Sequence, residues 1–213
     1  VHGRIPNFAG AAAAAARLTQ QPVWKGARVI KCNPDAPQRP VRRAALQAGK
    51  VVLMPTPRLR RGFLVLDPSA IPPTRLEEAS SIAGAFRLGR PVDLAALPPP
   101  DLIVVGSVAV APDGARVGKG EGYSELEYGI LADRGVVDSR TPVVTTVHDV
   151  QVVDRIPVEP FDVPVDVIIT PTRVIETATA LARPRGILWE YVTDAMLAAM
   201  PVLREGRAAR RPL

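Results

Sequence analysis

Apolar positions along the chain fall into two alternating patterns. Short, nearly unbroken apolar runs occur at Arg28–Asn33, Lys50–Pro55, Asp101–Gly106, Val143–Val147 and Val165–Thr170. Runs of this length, rich in Val and Ile and bounded by Gly, Pro or Asn, predict strands. Apolar side chains at consecutive positions predict strands covered on both faces, as in a parallel sheet, and Asp101–Gly106 is the strongest of them. Between the runs lie segments with helical spacing. These are an alanine-rich stretch from Ala9 to Gln20, Pro40 to Ala48 with Gly49 as its stop, Glu125 to Arg134, and Trp189 to Met200.

Residues 60 to 100 are punctuated by prolines and read as a loop-rich insertion between two halves of the sheet, with Phe63–Leu66 as an edge strand and Leu76 to Phe86 as a helix. Strands alternating with helices predict an α/β fold, a three-layer sandwich with a mainly parallel sheet, as one domain over residues 1–213 with a basic tail at 204–213. Ligands of such sheets sit outside the carboxyl ends of the strands.

An apolar fraction of 47% over 213 residues is enough for a sizeable core. No run reaches the roughly 18–20 apolar residues of a membrane helix, and no secretory signal follows Val1-His2-Gly3-Arg4. The start at valine points to processing, an unusual start codon or a truncated N-terminus. One cysteine excludes a disulfide within the chain. A cytoplasmic protein with no membrane partner is expected. Arginine outnumbers lysine 23 to 4 and the net charge is +6, which admits nucleic acid or other anions without requiring them. The basic clusters Arg58-Leu59-Arg60-Arg61 and Arg204 to Arg211 read as solvated surface, with RNA association as the alternative, since no zinc-finger or aromatic RNA-binding pattern accompanies them.

The chemistry concentrates in Asp113-Gly114-Ala115-Arg116-Val117-Gly118-Lys119-Gly120-Glu121-Gly122-Tyr123-Ser124-Glu125. Alternating glycines permit positive φ, successive N–H groups can form an anion-binding nest, and a following helix adds its unpaired amides and positive dipole end. Neither the P-loop nor the dinucleotide fingerprint fits the spacing. Phosphate binding and a plain flexible loop both remain open on chemistry alone. Ser124 and Glu127 have capping-box spacing at the start of the Glu125–Arg134 helix.

This loop resembles the signature of the 5-formyltetrahydrofolate cyclo-ligase (methenyltetrahydrofolate synthetase) family, roughly Gly-x-Arg-Leu-Gly-Arg/Lys-Gly-Lys/Gly-Gly-Tyr-Tyr-Asp. Gly49-Lys50 to Pro57-Arg58 is similar to the family's Gly-Lys, apolar strand, Pro-Arg segment, and Gln151 to Asp166 to its Gln…Pro-x-x-x-x-Asp-x-x-x-Asp segment. Three ordered pieces over residues 28 to 170 carry the resemblance. The stretches Gly3-Arg4-Ile5-Pro6-Asn7-Phe8, Asn33-Pro34-Asp35 and Thr56-Pro57-Arg58-Leu59 are more similar to a divergent branch, the methenyltetrahydrofolate synthetase domain-containing proteins.

The resemblance implies a cyclo-ligase-like fold of the NagB/RpiA/CoA-transferase type and an ATP- and Mg2+-dependent ring closure. In that reaction ATP phosphorylates the formyl oxygen of 5-formyltetrahydrofolate, N10 attacks the activated carbon, and phosphate leaves to give 5,10-methenyltetrahydrofolate. A nucleotide- or folate-binding homologue without the ligase step is the alternative. Carried over by position, Arg116 and Lys119 are the catalytic cations that hold the phosphates. Gly114, Gly118, Gly120 and Gly122 form the backbone cradle, with Arg58 on the nucleotide side. Tyr123 and Asp35 face the folate, and Glu125 and Asp162 hold the magnesium. Departures from the pattern are Glu121 in place of a lysine or glycine, Ser124 in place of the second tyrosine, and Glu125 in place of aspartate. The family's N-terminal Lys-x-x-x-Arg element has no counterpart before residue 28 and is expected upstream of Val1.

Structural readings stand beside several of these. Glu125 suits a first helical turn without any metal, Asp35 and Asp113 suit turns, Asp162 and Asp166 suit a solvated loop and strand start, and Arg58 suits open surface. His2 and His148 are expected to be structural or solvent-facing, Cys32 a small buried hydrophobe, and Trp24 and Trp189 packing residues.

Overall fold

A computed structural model describes residues 3–208, with side chains up to Arg204. His2, the valine start and the end of the basic tail at 209–213 lie outside the described residues.

Eight strands form one sheet. In chain order the strands are β1 (Val29–Cys32), β2 (Val51–Pro55), β3 (Phe63–Leu66), β4 (Arg90–Val92), β5 (Leu102–Val105), β6 (Ala109–Val110), β7 (Arg116–Val117), β8 (Val143–Thr146), β9 (Val167–Ile169) and β10 (Val174–Glu176). The sheet runs β10-β9-β8-β5-β1-β2-β3-β4, and β6 and β7 pair separately as a hairpin. The five central strands, β9 to β2, are parallel, and β10, β3 and β4 are antiparallel additions.

Alternate side chains of each strand feed opposite faces. Leu102 and Val104 pack with Ile30, Cys32 and Val52 beneath α1 (Ala11–Thr19), α2 (Pro22–Lys25), α3 (Arg39–Gln47), α4 (Leu76–Ala79) and α5 (Ile82–Leu88). Ile103 and Val105 pack with Leu53, Val143 and Ile168 against α6 (Tyr123–Asp133), α7 (Asp194–Ala199) and α8 (Pro201–Ala208). Two apolar layers thus enclose the sheet, which explains the unbroken apolar runs, and each fully buried Val, Leu or Ile contributes about 1.5–3 kcal/mol. The expected α/β sandwich with a mainly parallel sheet is the observed architecture.

Several element boundaries differ from the sequence expectation. Phe63–Leu66 is an inner strand, because β4 pairs along its outer side and all four of its residues are buried. The expected Leu76–Phe86 helix breaks in two: the Ser81 hydroxyl accepts the Gly84 N–H at 2.9 Å and starts α5 afresh. Trp189–Met200 likewise splits into a single 3-10 turn at Trp189–Tyr191 and α7, whose first turn is capped by Thr193. Residues 60–100, expected to be loop-rich, contribute two strands and two helices.

Strand order also fixes where a ligand can enter. From β1 the chain proceeds through β2, β3 and β4 to one edge. It then returns as β5 on the other side of β1 and proceeds through β8, β9 and β10 to the opposite edge. The reversal lies between β1 and β5, and a crevice opens at such a point outside the carboxyl ends of the two strands.

Candidate functional site

Three connections converge at that crevice and enclose a cavity of about 240 Å³. Asn33, Pro34 and Asp35 reach it from the end of β1, Thr56, Pro57 and Arg58 from the end of β2, and Lys119, Glu121, Tyr123, Ser124 and Glu127 from the glycine loop and α6. The Asn33–Asp35 corner is held from below by the buried Arg42, which donates to the carbonyls of Asn33 (2.5 Å) and Asp35 (3.1 Å). Burial lowers the pKa of this guanidinium, with the neighbouring Cys32 acting in the opposite direction. In the second connection Arg58 and Leu59 both take positive φ, 58° and 50°. Non-glycine residues adopt that region at a cost and cluster at functional sites.

The third connection begins as the β6–β7 hairpin. Gly114 closes its tip at φ +93°, donates its N–H to Ala111 at 2.9 Å, and has no room for a Cβ, which would lie 2.7 Å from the Val165 carbonyl. It stands apart from the cavity. Gly118 to Gly122 follow, with Gly120 at φ +81° and Gly122 at +69°, and α6 starts at Tyr123 with Gly122 as its N-cap and no side-chain cap. None of the backbone N–H groups from Gly118 to Glu125 has an acceptor among the described residues. A nest of amides and the positive end of an eleven-residue helix therefore adjoin the cavity.

Charged groups around this loop are already paired. Lys119 Nζ lies 2.8 Å from Asp35 Oδ1, joining the glycine loop to the β1 corner. Arg116 is buried: it donates to the Gly106 carbonyl at 2.9 Å and to Glu125 Oε1, while its Nε has no acceptor among the described residues. The guanidinium fastens the hairpin to the end of β5 and to the first turn of α6. Gly122 and Glu125 line a second, mostly apolar hollow of about 60 Å³ with Phe161, Tyr191 and Met196. Asp162 accepts the Glu159 N–H at 2.8 Å. Burial raises its pKa and the Glu125 charge adds to the rise, while the Glu159 amide and Arg116 act against it.

The capping-box expectation for Ser124 and Glu127 is corrected. The helix begins two residues earlier than expected, so both side chains lie within its first two turns and serve a different contact. Lys31, 1% exposed in the middle of the sheet, places Nζ 2.5 Å from Glu127 Oε2 and 2.9 Å from Asn33 Oδ1. Asn33 Nδ2 in turn donates to Ser124 Oγ and to Glu127 Oε2, both at 3.2 Å. A buried ammonium needs a counter-charge, and Glu127 supplies it from a helix remote in sequence. Burial raises the Glu127 pKa, with Lys31 as the opposing influence. The sequence carried two signals for this network: a lysine inside an apolar strand, and a carboxylate between Leu126 and Tyr128 on a helix that is otherwise apolar there.

Residues 3–171 match the model of the 5-formyltetrahydrofolate cyclo-ligase family. The chain belongs to that family. It is 49% identical to a Mus musculus methenyltetrahydrofolate synthase domain-containing protein over 97% of its own length and 57% of the relative's. Its identity to the Homo sapiens protein of the same name is 43%, over 98% of this chain and 55% of that one. The chain thus spans a little over half the length of these curated relatives. Among solved structures it is similar to the Aquifex aeolicus 5,10-methenyltetrahydrofolate synthetase, at a TM-score of 0.54 and 21% identity over 82% of this chain and 84% of that one, which establishes a shared fold.

For a cyclo-ligase family member, the implied nucleotide and metal can be tested against these residues. The run of free amides is chemically suited to a polyphosphate. Glu125 and Asp162 provide two oxygen donors whose mutual repulsion a divalent cation relieves, and magnesium commonly takes one or two carboxylates and completes its shell with phosphate oxygens and water. This donor set fits, although no group of three or more His, Cys, Asp or Glu able to hold a metal occurs among the described residues. Arg58, Asp35, Lys119 and Tyr123 line the cavity; Gly118, Gly120 and Gly122 are only sequence neighbours of lining residues, and Gly114, Arg116, Glu125 and Asp162 do not line it. His148 caps a 3-10 turn by accepting the Val150 N–H at 3.2 Å, a structural role. Cys32 is buried, and burial pushes its thiol up to about 11. Trp24 is core on one face of the sheet, and Trp189 packs partly buried against the apolar cluster on the other. No helix among the described residues is long and apolar enough to cross a membrane.

Proposed function

We propose that the crevice binds ATP and a reduced folate together and that the chain converts 5-formyltetrahydrofolate to 5,10-methenyltetrahydrofolate. The observation that carries this reading is the unbroken run of amides from Gly118 to Glu125, without an acceptor among the described residues, beside a cavity at the reversal of the sheet. Those amides and the α6 dipole hold the phosphates without reorganising as charge shifts during transfer. Lys119 releases Asp35 and turns to a phosphate oxygen, which frees the Asp35 carboxylate toward the folate. Tyr123 forms a wall of the folate pocket and Arg58 borders the nucleotide. Arg116 acts as a positioning residue that sets the Glu125 carboxylate. Glu125 and Asp162 would hold magnesium, and the metal would supply neutralisation of negative charge on the transferring group.

A second reading, binding without turnover, is favoured by Glu121, whose negative charge lines the cavity beside the proposed phosphates. Near-ultraviolet absorbance of the methenyl product separates the two. Product is expected only when protein, ATP, magnesium and 5-formyltetrahydrofolate are all present. Calorimetric uptake of ATP with no product selects the second reading, and no uptake of adenine nucleotide overturns both. Lys119→Ala is expected to weaken nucleotide binding about 10- to 100-fold, the loss of one charge-assisted hydrogen bond.

A further inference from the structure

The floor of the cavity is polar, buried and incompletely used. Glu127 is 3% exposed, yet only one of its two oxygens is occupied: Oε2 takes both Lys31 and Asn33, whereas Oε1 has no partner among the described residues. Glu127 lines the cavity, and Oε1 is the carboxylate oxygen that Lys31 and Asn33 do not hold from beneath. Ser124 stands three residues earlier on the same face of α6. Its Oγ accepts from Asn33 Nδ2, which leaves the hydroxyl proton without an acceptor among the described residues. Lys31 and Asn33 fix both side chains from beneath, so their orientation is set before any ligand arrives. The floor therefore presents an ionisable acceptor next to a hydroxyl donor, locked in place by a buried ion pair.

We propose that Glu127 and Ser124 determine specificity by reading the edge of a ring in which an N–H adjoins a carbonyl: Glu127 Oε1 accepts the N–H and the Ser124 hydroxyl donates to the carbonyl oxygen. A pterin carries that cyclic-amide edge, so the floor selects the ring of the folate rather than its tail; this rests on the reading of the crevice as a reduced-folate site. A site built to pair such an edge rejects ligands lacking it, because its buried polar groups are then left unpaired. It also accounts for a carboxylate where a plain apolar residue would pack a helix face at lower cost.

The test is calorimetric titration of the full chain with 5-formyltetrahydrofolate and, separately, with a non-hydrolysable ATP analogue. Ser124→Ala is expected to weaken folate binding about 3- to 10-fold and Glu127→Gln about 10- to 100-fold, the ranges for a neutral and a charged hydrogen bond, with nucleotide affinity unchanged. Because Glu127→Gln strands a buried ammonium, the double variant Lys31→Met with Glu127→Leu removes both charges and is expected to lose folate to at least the same extent. Wild-type folate affinity in all three variants overturns the assignment and leaves the proposed function intact. Equal loss of folate and nucleotide also overturns it, since the network then only supports the fold. Wild-type protein that takes up nucleotide but no folate overturns the folate reading and the floor's assignment with it.

Discussion

Lys31 and Glu127 are two charges taken out of water, and such a pair is tolerable only while both are present. Removing one partner of a buried pair costs about 3–5 kcal/mol, because the survivor is left uncompensated. Lys31→Met is expected to destabilise the chain by about that amount in urea unfolding at neutral pH. The pH dependence has a definite sign. A carboxyl whose folded pKa is raised above the ordinary 4.5 binds its proton more readily in the native state, so its contribution to stability falls as pH climbs through that window. Without Lys31 the opposing influence is gone and the folded pKa moves higher still. The penalty of Lys31→Met should therefore be larger at pH 8 than at pH 5, and an equal penalty at both would show that Glu127 is not ionised in the native protein. At this scale the sequence was half legible. A lysine in an apolar strand marks itself, but its partner stands 96 residues away and only the folded chain joins them. The resemblance turns Lys119 and Asp35 each toward a ligand, through separate segments of the chain. Their 2.8 Å contact with one another has no trace in either motif. The family resemblance assigns Arg116 to the phosphates, whereas the hairpin at 109–117 turns it inward to the Gly106 carbonyl.

Elements follow from the apolar pattern wherever burial is two-sided. The five runs read as strands are all strands of the main sheet, because apolar residues at consecutive positions have few other uses in so short a span. The elements that escaped are edge strands, the separate β6–β7 hairpin and helix breaks. Arg90–Val92 has exposed Arg90 and Pro91, and Val174–Glu176 is only partly covered, so neither carries an apolar run to read. The junction of α4 and α5 is a break that propensity alone does not reveal. Gly84 sits in the first turn of α5, where a Cβ would lie 1.8 Å from the Glu78 carbonyl oxygen. Helix propensity favours alanine over glycine by about 1 kcal/mol, while forcing a methyl group into closed space typically costs about 1–3 kcal/mol. A backbone atom at that distance cannot yield without parting the two helices, so packing wins. Gly84→Ala is expected to lower the urea midpoint, and a raised midpoint would mean that α4 and α5 are not packed in this way. The same junction is held on its solvent side by Glu78, which Arg75 and Arg87 grip at 2.8 and 2.6 Å. These hydrogen bonds draw its carboxyl down to about 2, so their contribution is present above the ordinary carboxylate range and is lost as pH falls toward 2.

For the molecule as a whole, the candidate site lies where the sheet reverses direction, and most of its lining comes from the connections after β1 and β2 and from the glycine loop. Ligand binding there is consequently coupled to the integrity of the entire sheet. The β1 corner is joined across the cavity to the glycine loop and the start of α6 by Lys119 to Asp35 and by the Asn33 network. A polyphosphate that engages the amides of Gly118 to Glu125 adds interactions that exist only in the folded state. At a concentration 100 times its dissociation constant such a ligand stabilises by about 2.7 kcal/mol. For a chain of this size each kcal/mol raises the melting temperature by about 2–4 °C, so ATP with magnesium should raise it by roughly 5–10 °C. Chelating the magnesium should reduce that rise if Glu125 and Asp162 bind the metal jointly with the nucleotide. Lys119→Ala should reduce it further, while a control substitution on the shallow surface at the opposite end of the strands, Arg140→Ala, should leave it unchanged. No rise at saturating nucleotide would mean that the free amides beside the cavity face solvent alone, and the family fold would then stand here without its phosphate site.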